Sequence, residues 1–348
     1  MSRSPVFRSI IVPVDGSQLA EGAIPYALAI AERAHSKVRF VLVHPDQYPP
    51  LLIEPANVYL KELTQRFRER LGQSLSSIIL NGPAAPSLVK HAKEIGADLV
   101  VMTTHGRGGL QRAWLGSVAD ELIRTSGVPV IVAHPSEGGS FPVLNLREIF
   151  VPLDGSPLSE TALEPASALA ELWDAEISLV QMVYPVPLVP DPALPFASGY
   201  DKELTAWERD AASDYVRDIA EGLRARGIKA SGIALIGDKS VAHSLIELAS
   251  PERVSLIVIA THGRGGLRRL VLGSVTDKLV RAAQVPIMII PATRAPRRER
   301  RSSAGPLPER SWSMPSSTPS LHPGAGGRIE ARGASDTDRA GHCRTFSR

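Results

Sequence analysis

Two segments of this chain place glycines, arginines and a Gly-Ser pair in the same order. Residues 104–124 read THGRGGLQRAWLGSVADELIR and residues 261–281 read THGRGGLRRLVLGSVTDKLVR, with fifteen of 21 positions identical. In both, nine residues separate the glycine of Thr-His-Gly from the Gly-Ser pair. Glycine allows close approach of the backbone to a ligand, and the N-terminus of a helix offers unpaired N–H groups that suit a phosphate. The pattern therefore predicts a phosphate-bearing ligand in each segment.

An aspartate follows the first predicted strand of each half, in Val-Asp-Gly-Ser at Asp15 and Leu-Asp-Gly-Ser at Asp154. Such a carboxylate can accept hydrogen bonds from a ribose, or hold a metal through phosphates. The apolar residues around Val43 and Val183 follow the second strand and could form a wall for a flat base. An acid for a sugar, glycines for phosphate and an apolar wall together indicate a nucleotide site.

These motifs belong to a tandem repeat, because the Asp-Gly-Ser segments recur at an offset of 139 and the glycine-rich segments at an offset of 157. Short β-branched runs alternate with longer helical patterns, which predicts α/β domains with parallel sheets covered on both faces. Predicted strands are 9–14, 37–43, 76–80, 98–103 and 128–133, then 148–153, 175–183, 229–236, 255–260 and 285–290. Predicted helices of the first half are 18–34, 56–71, 85–95 and 115–125.

Composition indicates the domain boundaries and excludes several classes of protein. The chain has 348 residues, 43% hydrophobic and 22% charged, and Cys343 as its sole cysteine, which excludes a disulfide framework and a multi-thiolate metal site. We predict a first domain at 1–135, a linker at 136–146, a second domain at 147–292 and a disordered tail at 293–348. The tail holds eleven arginines and five acids, so it carries +6 while the whole chain carries +3. No membrane span or signal peptide is evident, so a cytoplasmic location is expected.

The motifs resemble the universal stress protein family, in its tandem-domain form, over about residues 6–134 and 147–291. The resemblance implies two doubly wound, five-stranded parallel-sheet domains of the Rossmann-like, adenine nucleotide alpha hydrolase-like kind, each an α/β/α sandwich. In nucleotide-binding members the pattern is Gly, two residues, Gly, nine residues, Gly-Ser/Thr. Thr103 and Ala260 stand at its first glycine, so the second site is the better match. The implied binding residues of the first half are Asp15, Val43, Thr103, Gly106, Arg107, Gly109, Gly116, Ser117 and Val118. Those of the second half are Asp154, Val183, Ala260, Gly263, Arg264, Gly266, Gly273, Ser274 and Val275.

The resemblance further implies ATP, ADP or AMP as ligand, with Mg²⁺ accompanying it, and a stress-response role through nucleotide-dependent conformation or partner binding. The two halves are expected to pack as a pseudo-dimer through their last strands, and a further homodimer and a regulatory protein partner are open. No catalytic or metal-ligating protein residue is predicted, because no nucleophile elbow, Gly-Lys-Ser/Thr loop or paired histidine motif occurs. We expect no membrane partner, and nucleic acid is disfavoured because the tail interleaves few aromatic residues with its arginines.

Three alternatives remain open at this stage. A slow ATPase or nucleotidyl-transfer enzyme could use the same sheet, and a module without nucleotide could use the glycine loops as scaffolding. The third is local, since Ser117 and Ser274 each precede an acid by three residues. That spacing is typical of a capping box, in which the serine needs no ligand.

Overall fold

A computed structural model describes residues 7–45, 53–103, 115–135, 141, 143–188, 199–250, 252–261 and 272–291. The predicted tail and parts of both glycine-rich segments lie outside these residues. The strands of the first half are β1 (Ser9–Val14), β2 (Lys37–His44), β3 (Leu75–Asn81), β4 (Leu99–Thr103) and β5 (Val130–Ala133). Its helices are α1 (Gln18–Glu21), α2 (Ile24–Ala34), α3 (Ile53–Leu71), α4 (Ala84–Glu94) and α5 (Ser117–Thr125).

The second half repeats this order with two additions. Its strands are β6 (Glu148–Leu153), β7 (Glu176–Val183), β8 (Val186–Pro187), β9 (Tyr200–Asp201), β10 (Ala230–Ile236), β11 (Leu256–Ala260) and β12 (Ile287–Ile290). Its helices are α6 (Leu163–Trp173), α7 (Lys202–Arg224), α8 (Val241–Leu248) and α9 (Ser274–Ala282). A 3-10 turn at Ser159–Ala162 stands where α1 stands in the first half, and β8 and β9 form a small hairpin before α7.

The helix expected over 18–34 is wrong as one element, because the structure divides it into α1 and α2. Pro25 lies in the first turn of α2, and it lacks the N–H that would bond to the carbonyl of Glu21 in a continuous helix. At the break, a Cβ on Gly22 would lie 2.1 Å from the ring of Phe141. Glycine at this position therefore lets the linker residue Phe141 pack against the turn.

One ten-stranded sheet contains the main strands of both halves, in the order β10-β7-β6-β11-β12-β5-β4-β1-β2-β3. Within each half the neighbouring strands are parallel, which confirms the predicted α/β class with doubly wound topology. The halves meet where β12 pairs antiparallel with β5, with Met288 opposite Ile131. In each half the first and fourth strands are neighbours although the chain leaves them in opposite directions. This arrangement creates the switch point at which ligands of such sheets bind.

Helices cover both faces of the sheet, and strand residues alternate between two cores. Ile10 of β1 packs in the core that includes Leu28 of α2, while its neighbour Ile11 packs in the core that includes Leu122 of α5. Each of the two cores contains residues from both halves. Burial on both faces explains the nearly continuous apolar strands, which are typical of parallel sheets.

Polar contacts also join the two halves. The guanidinium carbon of Arg33 lies 4.4 Å from the ring centroid of Trp173, a cation–π contact between α2 and α6. At the end of β5, Nε2 of His134 lies 2.8 Å from the carbonyl oxygen of Val280 in α9. The first half therefore touches the helix that follows the second glycine-rich segment.

His91 on α4 provides a pH-dependent contribution to stability. It is 6% exposed, and Nη1 of Arg39 lies 3.3 Å from its Nε2. Because a guanidinium can only donate, this nitrogen accepts and the imidazole is neutral. Burial lowers the pKa of His91 and the charge of Arg39 lowers it further, whereas Glu94, 3.8 Å from Nδ1, raises it.

The free energy of unfolding is therefore expected to fall as the pH drops below about 6.5, since the unfolded state then binds more protons than the native state. A His91→Gln variant should flatten this dependence, because it removes the titrating group. A Glu94→Gln variant should steepen it, because the pKa of His91 would drop further. Urea unfolding between pH 7.5 and 5 measures both slopes, and equal slopes in wild type and His91→Gln would contradict the assignment.

Candidate functional site

The sheet brings the sequence-predicted residues to one edge in each half. Asp15 follows β1, Thr103 ends β4 and Val43 lies near the end of β2, and these three strands are neighbours. Asp154, Ala260 and Val183 occupy the matching places on β6, β11 and β7. All six therefore lie at the carboxyl edge of a parallel sheet beside a switch point, where ligands bind in such folds.

The Asp-Gly-Ser turn is held by the aspartate itself. In the first half Oδ1 of Asp15 accepts hydrogen bonds from the backbone N–H of Ser17 at 2.9 Å and from its hydroxyl at 2.6 Å. Gly16 has a φ of 84°, a conformation that favours glycine. Ser17 then caps α1 by accepting from the N–H of Ala20 at 3.1 Å. The aspartate thus has a structural role in addition to any contact with a ligand.

The second half builds the same turn. Oδ1 of Asp154 accepts from the N–H of Ser156 at 2.9 Å, and Gly155 has a φ of 78°. The hydroxyl of Ser156 accepts from the N–H of Ser159 at 3.1 Å. Both turns therefore share the backbone bond to the aspartate and the bond that the following serine hydroxyl accepts three residues on, so both aspartates are fixed to the turn at the sheet edge.

The capping-box interpretation of Ser117 is wrong. Gly116 is the N-cap of α5, and Ser117 is the first helical residue, exposed and one position too late to cap. The backbone N–H of Asp120 bonds to the carbonyl of Gly116 at 2.9 Å, and the Asp120 carboxylate pairs with Arg124 at 2.8 Å instead of reaching back to the cap. Among the described residues, no side chain caps this helix.

The second glycine-serine pair has the same geometry. Gly273 is the N-cap of α9 without a side-chain cap, Ser274 is exposed, and Asp277 pairs with Arg281 at 2.8 Å. The N–H of Gly273 donates to the carbonyl of Thr261 at 2.8 Å, which ties the end of the glycine-rich segment to the end of β11. Both helices therefore begin at the sheet edge with first-turn N–H groups that no side chain in the described part of the chain caps. This is the arrangement that binds anions.

The two positions that replace the first glycine of the family pattern are both buried, Thr103 at 4% exposed and Ala260 at 5% exposed. The hydroxyl of Thr276 donates to the carbonyl of Ala260 at 3.1 Å, whereas Ala119 stands at the equivalent place in the first half. The second edge is thus held by a hydrogen bond that the first half cannot form with that residue. The greater suitability of the second site remains a prediction.

Several predicted site residues cannot be placed. They lie outside the described residues and comprise Gly106, Arg107, Gly109, Gly263, Arg264 and Gly266. Of the other predicted residues, Val118 and Val275 follow the serines in the first turns of α5 and α9. Val183 is buried and Val43 half-buried, so each offers little apolar surface at the position expected for a base.

Sequence reasoning missed one duplicated contact beside the aspartates. The hydroxyl of Tyr59 in α3 donates to Oε1 of Glu21 at 3.1 Å, and the hydroxyl of Tyr215 in α7 donates to Oε1 of Glu160 at 3.1 Å. Burial and the neighbouring glutamate raise the pKa of each tyrosine, and the charge of Asp15 or Asp154 raises it further. Each tyrosine is therefore close enough to the aspartate for the carboxylate charge to affect the tyrosine pKa. The recurrence of Tyr at an offset of 156 and Glu at 139 was the available signal.

Residues 7–134 and 145–291, which carry the edge motifs described above, each match the universal stress protein family. The chain belongs to the universal stress protein family. Because two segments match, it is a tandem universal stress protein, as the repeat predicted. The described residues contain no helix long and apolar enough to cross a membrane. Among those same residues, no group of three or more His, Cys, Asp or Glu side chains is arranged to hold a metal ion.

Individual relatives are consistent with this assignment. A universal stress protein of Mycobacterium tuberculosis is 31% identical over 217 residues, which span 62% of this chain and 68% of the relative. One of Mycolicibacterium smegmatis is 22% identical over 310 residues, spanning 83% of this chain and 99% of the relative. The crystal structure of a universal stress protein from Archaeoglobus fulgidus aligns with a TM-score of 0.60 at 16% identity, covering 82% of this chain and 97% of that one. At that identity the alignment shows a common fold.

Proposed function

We propose that this universal stress protein binds ATP or a related adenine nucleotide at the carboxyl edge of each half. The observation that carries the proposal is the uncapped start of α5 and α9, each beside an aspartate-bearing turn on a strand near the switch point. Two copies of this geometry in one chain support a ligand with a phosphate group at one end and hydroxyl donors near the other. The adenine preference rests on membership of the family.

Each group in the site has a role under this proposal. The backbone N–H groups of Ser117 and Val118, and of Ser274 and Val275, would donate to phosphate oxygens, with Gly116 and Gly273 allowing close approach. Asp15 and Asp154 would accept hydrogen bonds from ribose hydroxyls. Mg²⁺ bound through the phosphates would neutralise part of the negative charge of the nucleotide. Arg107 and Arg264, with Gly106, Gly109, Gly263 and Gly266, would complete the phosphate side.

The proposed activity is binding rather than turnover. Nucleotide occupancy would act by differential affinity for two conformations of the chain, which changes the surface shown to a regulatory protein or to a second copy. The seam between the halves is suited to this role, because His134 at the end of β5 contacts α9, whose first turn belongs to the second site. Under this proposal the halves act as an intramolecular pseudo-dimer within the cell's cytoplasm.

The test is to denature the purified full-length protein and identify the released small molecules by mass spectrometry, followed by ATP titration of the ligand-free protein. One or two adenine nucleotides per chain, or saturable ATP binding, is the expected result. Absence of nucleotide in both experiments would overturn the proposal and leave the glycine loops as scaffolding. Phosphate release measured in the same samples should equal that of an Asp154→Asn variant, and a clear excess would favour the enzyme alternative.

A further inference from the structure

The tyrosine–glutamate contact joins two elements that frame each site. Glu21 ends α1, the short helix that starts from the Asp15 turn, while Tyr59 lies in α3, the helix that follows the wall strand β2. In the second half Glu160 lies in the 3-10 turn after Asp154, and Tyr215 lies in α7. The contact therefore links the aspartate-bearing turn to the helix that covers the same sheet.

The second half adds a further bond to this link. The hydroxyl of Ser159 accepts from the backbone N–H of Asp154 at 3.4 Å and donates to the backbone carbonyl of Ser156 at 2.8 Å. Ser159 is 6% exposed, and its first-half equivalent is Ala20. The buried hydroxyl of Ser159 thus fastens the backbone of Asp154 to the turn that carries Glu160, the hydrogen-bond partner of Tyr215.

The electrostatic support of the glutamate differs between the halves. Glu21 also pairs with Arg66, at 2.8 Å, so it keeps a cationic partner if the tyrosine hydroxyl is removed. The residue equivalent to Arg66 in α7 is Gly222, and no ion pair to Glu160 is found among the described residues. The orientation of Glu160, whose carboxylate lies near that of Asp154, therefore depends strongly on the hydroxyl of Tyr215. The orientation of Glu21 depends less on the hydroxyl of Tyr59.

We propose that Tyr59 and Tyr215 are positioning residues for the two nucleotide sites, which hold the aspartate-bearing turn in the orientation that receives the ribose. The proposal rests on the proposed nucleotide function. It assigns the tyrosines no contact with the ligand. Their effect acts through the glutamates and is confined to the ribose side, because the phosphate side is built on α5 and α9, which contact neither tyrosine directly in the hydrogen bonds described.

The experiment compares wild type, Tyr59→Phe and Tyr215→Phe as full-length proteins, each titrated calorimetrically with ATP and with inorganic tripolyphosphate. Tyr215→Phe is expected to weaken ATP binding in the second half about 10-fold, the loss typical of one charged hydrogen bond. Tyr59→Phe should weaken the first site only about 2–3-fold, because Arg66 continues to hold Glu21. Tripolyphosphate affinity should stay unchanged in both variants, whereas general loosening of the fold would weaken both ligands.

Two further variants serve as a control and a rescue. Tyr26→Phe removes a buried tyrosine hydroxyl for which the described residues provide no hydrogen-bond partner, so ATP binding should match wild type. Gly222→Arg introduces the second half's missing cation at a position where a Cβ meets no atom within 4 Å, and should restore part of the affinity lost in Tyr215→Phe.

The outcomes separate this inference from the proposed function. If wild type binds ATP and Tyr215→Phe binds it equally well, or loses ATP and tripolyphosphate in equal proportion, the positioning role is overturned while nucleotide binding stands. If wild type binds neither ligand, the proposed function fails, and this inference fails with it.

Discussion

A Ser274→Glu variant is expected to lose about 100-fold in affinity for ATP at the second site, since a carboxylate near a phosphate repels it by several kcal/mol in a partly shielded environment. The same variant should gain about 0.5 kcal/mol in free energy of unfolding without nucleotide, because an acid in the first turn interacts favourably with the helix dipole. Ser274 is exposed at the start of α9, so the longer side chain meets no packing obstacle.

In Ser274→Glu the free energy of unfolding should rise while the ATP affinity falls. A variant that merely destabilised the fold would lower both quantities. Ser274→Gln provides the matched control, because it has nearly the same size without the charge and should alter both quantities little. Calorimetric titration and urea unfolding measure the two effects. Unchanged ATP affinity in Ser274→Glu would remove the start of α9 from the binding site, even if the chain binds nucleotide elsewhere.

A Gly232→Ala variant is expected to lower the free energy of unfolding by about 2 kcal/mol, within the range found for overpacked cores. Gly232 lies in β10, and a Cβ there would lie 2.7 Å from the backbone carbonyl oxygen of Val216 in α7. Because the obstacle is helix backbone rather than a movable side chain, either α7 or the strand must shift. The absence of a side chain at this position is thus what allows α7 to approach the sheet.

Gly222→Ala, in α7 itself, is the matched control for Gly232→Ala in β10. A Cβ at Gly222 meets no atom within 4 Å, and alanine is the better helix former, so this variant should gain about 0.5–1 kcal/mol. Urea unfolding of the two alanine variants therefore should give effects of opposite sign. A Gly232→Ala protein as stable as wild type would show that α7 does not approach β10 as closely as described.

Much of the architecture follows from the sequence because the repeat supplies each element twice. The apolar strands and the amphipathic helices around Tyr59 and Leu204 could be recognised from periodicity, and the order of elements then fixes the α/β class. The break between α1 and α2 was missed because the apolar pattern continues across it, although Pro25 removes a hydrogen bond. The spacing of apolar residues shows which face of a helix is buried. It does not show where one backbone N–H donor is missing, as at Pro25.

The site was predicted less completely, for a physical reason. The Asp-Gly-Ser turn and the Gly-Ser helix starts are local, so their residues could be assigned from neighbouring positions. The position of the cap was nevertheless off by one residue, since a serine can cap or begin a helix and only the backbone conformation at Gly116 decides between them. The Tyr59–Glu21 contact spans 38 residues, and no local pattern encodes a partner at that distance.

Because β5 pairs with β12, the last strand of the second half, β5 stays without this partner while the rest of the chain is being synthesised. At about 5–20 residues per second, synthesis passes from the end of β5 at Ala133 to the start of β12 at Ile287 in about 8–30 s. During this interval β5 has β4 on one side and no partner on the other, so it presents unpaired backbone groups that can recruit a strand from another nascent chain. The exposure of β5 is therefore limited to this interval, whereas β3, at the other edge of the first half, has only β2 as a neighbour among the described strands of the finished sheet. The arrival of Met288 opposite Ile131 ends that exposure.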